Sequence, residues 1–387
     1  MRIAIITSGI LPIPAVQGGA VENLTDYYLE YNEQHCLHDI TVYSVWHPDV
    51  MRHRALQSKV NHYKYIKTHS FWFRLCAKMY GIIHRNCYYF YQLEYFFEIV
   101  IKKILSQQYN LIIIENRPGV AIKLSRKCST PIINHIHTNI VNGETTQKEA
   151  IIIATKKFLA VSNYIKGEIE NIGMQANVQV VYNGLDTKRF NREDISPVSR
   201  QKLGLSDEDF VTIYTGRIVP KKGVKELLQA FQQLMKYNDV KLLVVGGDNF
   251  GDSVQSNVFL DELHEMADKM EGKVKFTGFV PYDQLPAYLK IADVAIVPSK
   301  INEALGMACI EACAMGLPVI ATDDGGIAET LVGQKHILLK KDDNLPFHIA
   351  QAILKIKDNK PDFHGNKLNP IFSKEIYAET FFKAIAL

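Results

Sequence analysis

Glu303 and Glu311 stand eight residues apart in the run Glu303-Ala-Leu-Gly-Met-Ala-Cys-Ile-Glu311-Ala, just past the apolar tetrad Val294–Val297. Such a tetrad reads as a buried strand, and open α/β sheets bind ligands beyond the C-terminal ends of their strands. A helix beginning near Leu305 would leave the amides of Ala304, Leu305, Gly306 and Met307 as first-turn donors aimed at whatever lies there. Glu303 would sit at the helix mouth and accept hydrogen bonds from ligand hydroxyls. Glu311, about two turns further along, would reach a diol. Two acids at this spacing recur often by chance, and a capped helix with one solvated acid reads the same.

A second cluster, Thr215-Gly216-Arg217-Ile-Val-Pro-Lys221-Lys222-Gly223, lies between a strand-like run and a helical one. Arg217 and Lys222 bring two positive charges to the sheet edge. A pyrophosphate departing with developing negative charge needs such stabilisation. Taken alone, the stretch is explained equally well by solvated bases in an ordinary loop. The glycine, lysine and hydroxyl order of a Walker A loop is absent.

Gln17-Gly18-Gly19-Ala20 follows the first strand-like run, and glycines there let backbone N–H groups approach a phosphate. The loop lacks Gly-x-Gly-x-x-Gly, which counts against a dinucleotide-dependent dehydrogenase. His137 closes the run Ile132–His137. At a strand's carboxyl end it can bond a ligand hydroxyl, although a lone histidine is more often structural. His135 shares its face in a regular strand, so either of the two can be the packing residue.

The elements that must position these groups alternate along nearly the whole chain. Ile3–Thr7, Ile40–Val45, Leu111–Glu115, Ile132–His137 and Phe158–Ser162 are short, β-branched and almost continuously apolar. Strands buried on both faces of a parallel sheet have that composition. Helical patterns such as Val21–Glu33 and Tyr164–Asn171 intervene. The alternation restarts with Val211–Thr215, Lys241–Val245, Val274–Thr277, Val294–Val297, Pro318–Ala321 and Ile337–Leu339. Two doubly wound α/β halves are predicted. Periodicity lapses between Asn183 and Ser206, which sets the halves at 1–185 and 186–370, with an amphipathic helix at 373–387 packing back on the first.

Bulk properties narrow the class. The 387 residues suit two domains, and 47% apolar with 22% charged residues is ordinary for a soluble globular protein. A net charge of +3 gives no reason to expect a nucleic-acid partner. Six cysteines form no Cys-x-x-Cys pair; Cys309 and Cys313, four apart, read as buried thiols of a reducing compartment. The apolar run stopping at Ser8-Gly9 reads as a strand rather than a signal peptide, and no run reaches the roughly 18 apolar residues of a membrane span. A cytoplasmic location is expected, or one on the inner face of the plasma membrane. Residues 52–103 bear on the second choice, with ten Lys/Arg against Glu94 and Glu98 and three aromatic clusters beginning at Phe71, Tyr88 and Tyr95. A basic, aromatic helix can lie on anionic lipid. A helix with its aromatics in the core and its bases in water reads the same.

Together these motifs resemble family 4 of the retaining glycosyltransferases, whose GT-B architecture has two Rossmann-like doubly wound parallel-sheet domains facing a central cleft. The family's Glu-x7-Glu pattern is similar to Glu303 and Glu311, and its Gly-Arg-x-x-x-x-Lys-Gly pattern to Gly216, Arg217, Lys222 and Gly223. The linking Asn-Gly-x-Asp…Phe is similar to Asn183, Gly184, Asp186 and Phe190; the Gly-Gly loop to Gly18 and Gly19; the strand-end histidine to His137. Gly278-Phe279-Val280, Ala292-Asp293-Val294 and Gly325-Gly326-Ile327-Ala328-Glu329 also match, and Asn116-Arg117-Pro118 resembles a bacterial branch of the family. One departure is the shortened Gly333-Gln-Lys-His336 stretch.

The resemblance implies roles. Arg217 and Lys222 would bind the donor diphosphate, with the Gly18 and Gly19 amides closing over it. Glu303 and the amides of Ala304, Leu305 and Gly306 would hold the donor sugar, Glu311 the ribose, and the backbone at Phe279 and Val280 the base. His137 would contact the sugar, and Glu22, Asn116 and Arg117 the acceptor. No cofactor and no metal are implied. The implied reaction moves a hexose or N-acetylhexosamine from a nucleotide sugar, preferably a UDP-sugar, to a glycan or lipid-linked acceptor of the cell surface. A same-fold nucleotide-sugar epimerase and a non-catalytic sugar-nucleotide-binding protein are the competing readings.

Overall fold

The computed structural model describes residues 1–85, 87–247 and 258–386. They divide into two units, Met1–Gly184 with Lys374–Leu387, and Leu185–Ser373. In the first unit the strands are β1 (Arg2–Ile6), β2 (Asp39–Val45), β3 (Asn61–Ile66), β4 (Leu111–Glu115), β5 (Ile132–Ile136), β6 (Lys157–Ala160) and β7 (Val178–Val180). They form one sheet in the order β3-β2-β1-β4-β5-β6-β7. Every pairing is parallel. In the second unit β8 (Phe210–Thr215), β9 (Val240–Val245), β10 (Val274–Gly278), β11 (Val294–Val297), β12 (Val319–Thr322) and β13 (His336–Leu339) run in the order β10-β9-β8-β11-β12-β13, again all parallel.

The apolar runs became central strands for the reason their composition gives. All five residues of β4 are buried, as are Ile3, Ala4, Ile5 and Ile6 of β1. Helices cover both faces of such a sheet, and each fully buried Ile contributes roughly 1.5–3 kcal/mol. Two strands escaped the pattern. β3 reads Asn-His-Tyr-Lys-Tyr-Ile with only its ends buried, and β7 is three half-buried residues. Both are edge strands, so neither needs a continuous apolar run.

Three helices of the first unit matter below: α1 (Ala20–His35), α2 (Phe71–Ile83) and α3 (Tyr91–Leu105). The C-terminal helix Lys374–Ile385 lies against α1, with the ring of Phe381 stacked on Tyr28 at 4.0 Å between centroids. Lys157 Nζ donates to the Ala384 carbonyl at 2.7 Å, which ties down its end.

The stretch after Gly184, where periodicity lapses, is an integral part of the second unit. Arg192 donates to the carbonyls of Met315 and Lys290 at 2.9 and 3.0 Å, and Arg200 to that of Ile291 at 2.6 Å. Polar anchoring of this kind leaves no hydrophobic period to read. All six cysteines are free thiols, with Cys309 and Cys313 buried.

Candidate functional site

In each sheet the chain reverses its strand order once, between β1 and β4 and between β8 and β11. Ligands of doubly wound sheets bind at the C-terminal ends of the strands beside that reversal. Lys222, Arg217 and Glu303 lie at the second of these places and Asn116 and Arg117 at the first, whereas Phe279 and Val280 follow the edge strand β10.

In the second unit, the loop after β8 carries Arg217 and Lys222, and the loop after β11 carries Glu303. Lys222 Nζ is ion-paired with Glu303 Oε1, and the same oxygen accepts a hydrogen bond from Ser299 Oγ. The two loops are pressed together: a Cβ on Gly223, which has φ 75°, would collide with the Pro298 carbonyl. Arg217 is exposed, and its own carbonyl accepts from the buried Tyr214 hydroxyl at 2.7 Å. The Glu303 carbonyl accepts from Gly326 N–H at 2.8 Å, so the Gly325-Gly326 pair braces the loop from behind.

The helix behind this loop opens later than expected. It spans Met307–Ala314 with Gly306 as N-cap at φ 96°, so Ala304 and Leu305 belong to the loop and are not first-turn donors. The reason is local: Gly306 adopts a left-handed conformation that no helix continues through. Leu305 is buried, whereas Ala304 and Gly306 are half-buried.

Glu311 is not a solvated acid. It is buried and accepts a hydrogen bond from Tyr282 Oη at 3.0 Å. Burial pushes its carboxyl up to about 7, against the lowering effect of that bond. Tyr282 in turn packs on Phe190 at 5.4 Å and lies under Arg189. Phe190 is fixed because its N–H bonds the Asp186 carbonyl at 3.0 Å. Asp186, Arg189 and Phe190 therefore shape the wall around Tyr282, the partner of Glu311. Phe279, exposed, and Val280 follow β10 on the chain leading to Tyr282.

In the first unit, Gly19 is the N-cap of α1 at φ 103°, and a Cβ there would collide with Glu22 Oε2. Glu22 is buried and accepts from Ser8 Oγ at 2.9 Å; burial raises its carboxyl above the usual range, opposed by that bond. Arg117 donates through Nε to the Ser8 carbonyl at 3.0 Å and lies over the ring of Tyr89. Asn116, with φ 54°, accepts from the His137 amide and Thr138 Oγ1, each at 3.1 Å. Gly18, Gly19, Glu22, Asn116, Arg117 and His137 thus hang from the carboxyl ends of β1, β4 and β5 and the entry to α1.

A residue that motif reasoning passed over lies at their centre. Glu115, the last residue of β4, accepts from Tyr28 Oη at 2.8 Å and bonds His137 Nε2 at 2.8 Å and His135 Nδ1 at 3.1 Å. All four side chains are buried. Burial would raise Glu115, yet the two histidines and their hydrogen bonds hold it well below the usual carboxylate range. His137 is pushed down to about 4 by burial and by His135, against the opposing pull of Glu115. It is therefore neutral near pH 7 and donates Nε2–H to the carboxylate, which leaves Nδ1 an acceptor. The signal was present: a run of four aliphatic residues ending in an acid, one strand over from His137. Ser299 and Tyr282 carried no such signal.

The ligand atoms of Glu115, His135 and His137 lie within 4.8 Å of one another, the one such trio among the described residues. The 2.8 Å contact is an ordinary hydrogen bond in length, and two N–H donors facing one carboxylate satisfy each other without an ion.

Residues 196–369 match the family model described as glycosyl transferases group 1. The chain is 26% identical over 367 residues to the putative glycosyltransferase YtcC of Bacillus subtilis, covering 91% of this chain and 82% of that one. It is 31% identical over 229 residues to the lipopolysaccharide 1,2-N-acetylglucosaminetransferase of Salmonella typhimurium, covering 59% and 58%. Its fold is similar to that of Anabaena HepE, solved in complex with UDP and glucose, at 20% identity, a TM-score of 0.73 and full coverage of both chains.

Proposed function

We propose that the chain is a group 1 glycosyltransferase of the GT-B type that moves a hexose or N-acetylhexosamine from a nucleotide diphosphate sugar to a glycan or lipid-linked acceptor of the cell surface. The family match over residues 196–369 and the glycosyltransferase relatives support this reading. A UDP-sugar is the expected donor. The transfer proceeds with retention at the anomeric carbon and without a metal. The name of the Salmonella relative supports both the acetamido sugar and the cell-surface acceptor.

The observation that carries this reading is the Lys222–Glu303 pair at the switch point of the second sheet. With a donor in place, Lys222 and Arg217 meet the negative charge that develops on the departing diphosphate, the main electrostatic demand of such a step. Glu303 then accepts from sugar hydroxyls while Ser299 holds it. Glu311 receives the ribose diol within the wall built by Tyr282.

Retention through a covalent glycosyl–enzyme ester would need a carboxylate nucleophile. Glu303 is held by Lys222 and Ser299, Glu115 is saturated by three donors, and Glu311, bonded by Tyr282, is the acceptor for the ribose rather than for the anomeric carbon. Departure on the front face, with a diphosphate oxygen taking the acceptor's proton, asks for none of them. His137 contributes Nδ1 as a fixed acceptor for a donor hydroxyl. The test is release of nucleoside diphosphate from a panel of UDP- and GDP-sugars with and without acceptor, together with the anomeric configuration of the product. Release from no donor would reject the assignment, and an inverted product would reject retention.

A further inference from the structure

The aromatic, basic segment of the first unit divides in two. Phe73, Tyr89, Phe96 and Phe97 pack inward, and Phe73 meets Tyr95 of α3 at 5.2 Å. The outward side of α2 does the opposite. Trp72 and Phe71 are each 72% exposed, Ile83 71% and Ile82 63%, with Leu75 and Met79 exposed between them. Soluble proteins scatter exposed apolar side chains singly; six large ones on a 13-residue helix are a surface.

At 100° per residue these six fall within an arc of about 120°, and the buried Phe73 and Ala77 face away from it. Arg74 and Lys78, one turn apart and exposed, line one edge of the arc, and Arg85 follows the helix end. The helix contains no acid. We propose that α2 docks this protein on an anionic bilayer, with Trp72, Leu75, Met79 and Ile82 sunk among the headgroups and Arg74 and Lys78 on lipid phosphates.

The charge pattern favours this occupant over a second copy of the chain. A two-fold contact through the arc would bring Arg74 and Lys78 of both copies together with no acid on the helix to offset them. An amphipathic helix with bases beside an aromatic and aliphatic face is the form that lies in a membrane interface. At about 20 Å, α2 is shorter than a bilayer core, so it lies in the plane. No helix among the described residues is long and apolar enough to cross a membrane. The surface does not depend on the transfer chemistry.

Flotation of the full chain with vesicles tests the proposal. The protein should float with vesicles containing about a third phosphatidylglycerol and not with pure phosphatidylcholine, and lose binding at about 0.5 M salt. Trp46 and Trp72 are the two tryptophans, so Trp46→Phe isolates Trp72, whose emission should shift blue on anionic vesicles. Arg74→Glu with Lys78→Glu, and separately Trp72→Ser with Met79→Ser and Ile82→Ser, should each reduce partitioning about tenfold or more. Both sets change exposed residues, and an unaltered melting curve verifies their fold. No flotation on anionic vesicles, or flotation that both sets keep, overturns the proposal. So does a dimer that the triple variant dissolves while vesicle binding is absent.

Discussion

Glu115 Oε2 lies 2.8 Å from His137 Nε2, and His137 Nδ1 is buried without a hydrogen-bond partner among the described residues. The carboxylate fixes which nitrogen of the ring carries the proton and therefore which one can accept. Tyr28 and His135 hold that carboxylate from its other sides.

Replacing Glu115 by Gln removes the anion that three donors share but keeps the side-chain volume. Turnover should fall about 10–100-fold, less than the roughly 10⁴-fold loss when the orienting acid of a general-base histidine is changed. Glu115→Asp should recover part of the loss. Nucleoside diphosphate release measured beside a circular-dichroism melt decides it. A folded Gln variant with full turnover would remove Glu115 from the mechanism.

Central strands were legible because burial on both faces leaves a continuous apolar run, as in Leu111–Glu115 and Val294–Val297. Edge strand Asn61–Ile66 was not, because only its end residues are buried. At the site, spacing pointed to Lys222 and Glu303, since both stand in loops that directly follow strands. Spacing could not show that they pair, because that contact forms only when β8 and β11 become neighbours, nor that Ser299 joins them, because its bond to Glu303 depends on how the loop after β11 turns. The later helix start at Met307 turned on the conformation of Gly306, which a glycine permits without revealing. Glu115 was overlooked because its partners come from α1 and β5, which are distant in sequence.

Glu311 should make stability fall as pH rises. Its carboxyl is raised from 4.5 to about 7 by burial. Between those values the folded chain keeps a proton that the unfolded chain has released, so folding is favoured at the acid end and loses that advantage as pH climbs to 7. The full difference is on the order of 3 kcal/mol. Glu311→Gln, which can still accept from Tyr282, should lose this part of the slope. Urea unfolding of both proteins at pH 5 and pH 8 measures it, and identical slopes would show that Glu311 ionises normally.

The Glu115, His135 and His137 trio offers a direct check on metal independence. Hydrogen bonds already satisfy the carboxylate, so chelation should leave turnover unchanged and the purified chain should hold well under one transition-metal ion per molecule. Elemental analysis and an assay in EDTA supply both numbers. Lost activity that zinc or manganese restores would reassign the trio as a metal site.

Lys222 and Glu303 make the most demanding prediction. Their ion pair is partly exposed, so its loss should cost the fold no more than about 1 kcal/mol. If Lys222 meets the leaving diphosphate, its charge matters most in the transition state, and Lys222→Ala should lower kcat by two to three orders of magnitude, roughly the effect of losing one preorganised oxyanion donor. KM for the donor should move far less, because the interaction strengthens as charge develops. Lys222→Arg keeps the charge but not the point geometry, and should recover only part of kcat. A melt within a few degrees of wild type together with near-normal turnover in Lys222→Ala would mean that the pair only braces the two loops, and the diphosphate would then have to be met by Arg217 alone.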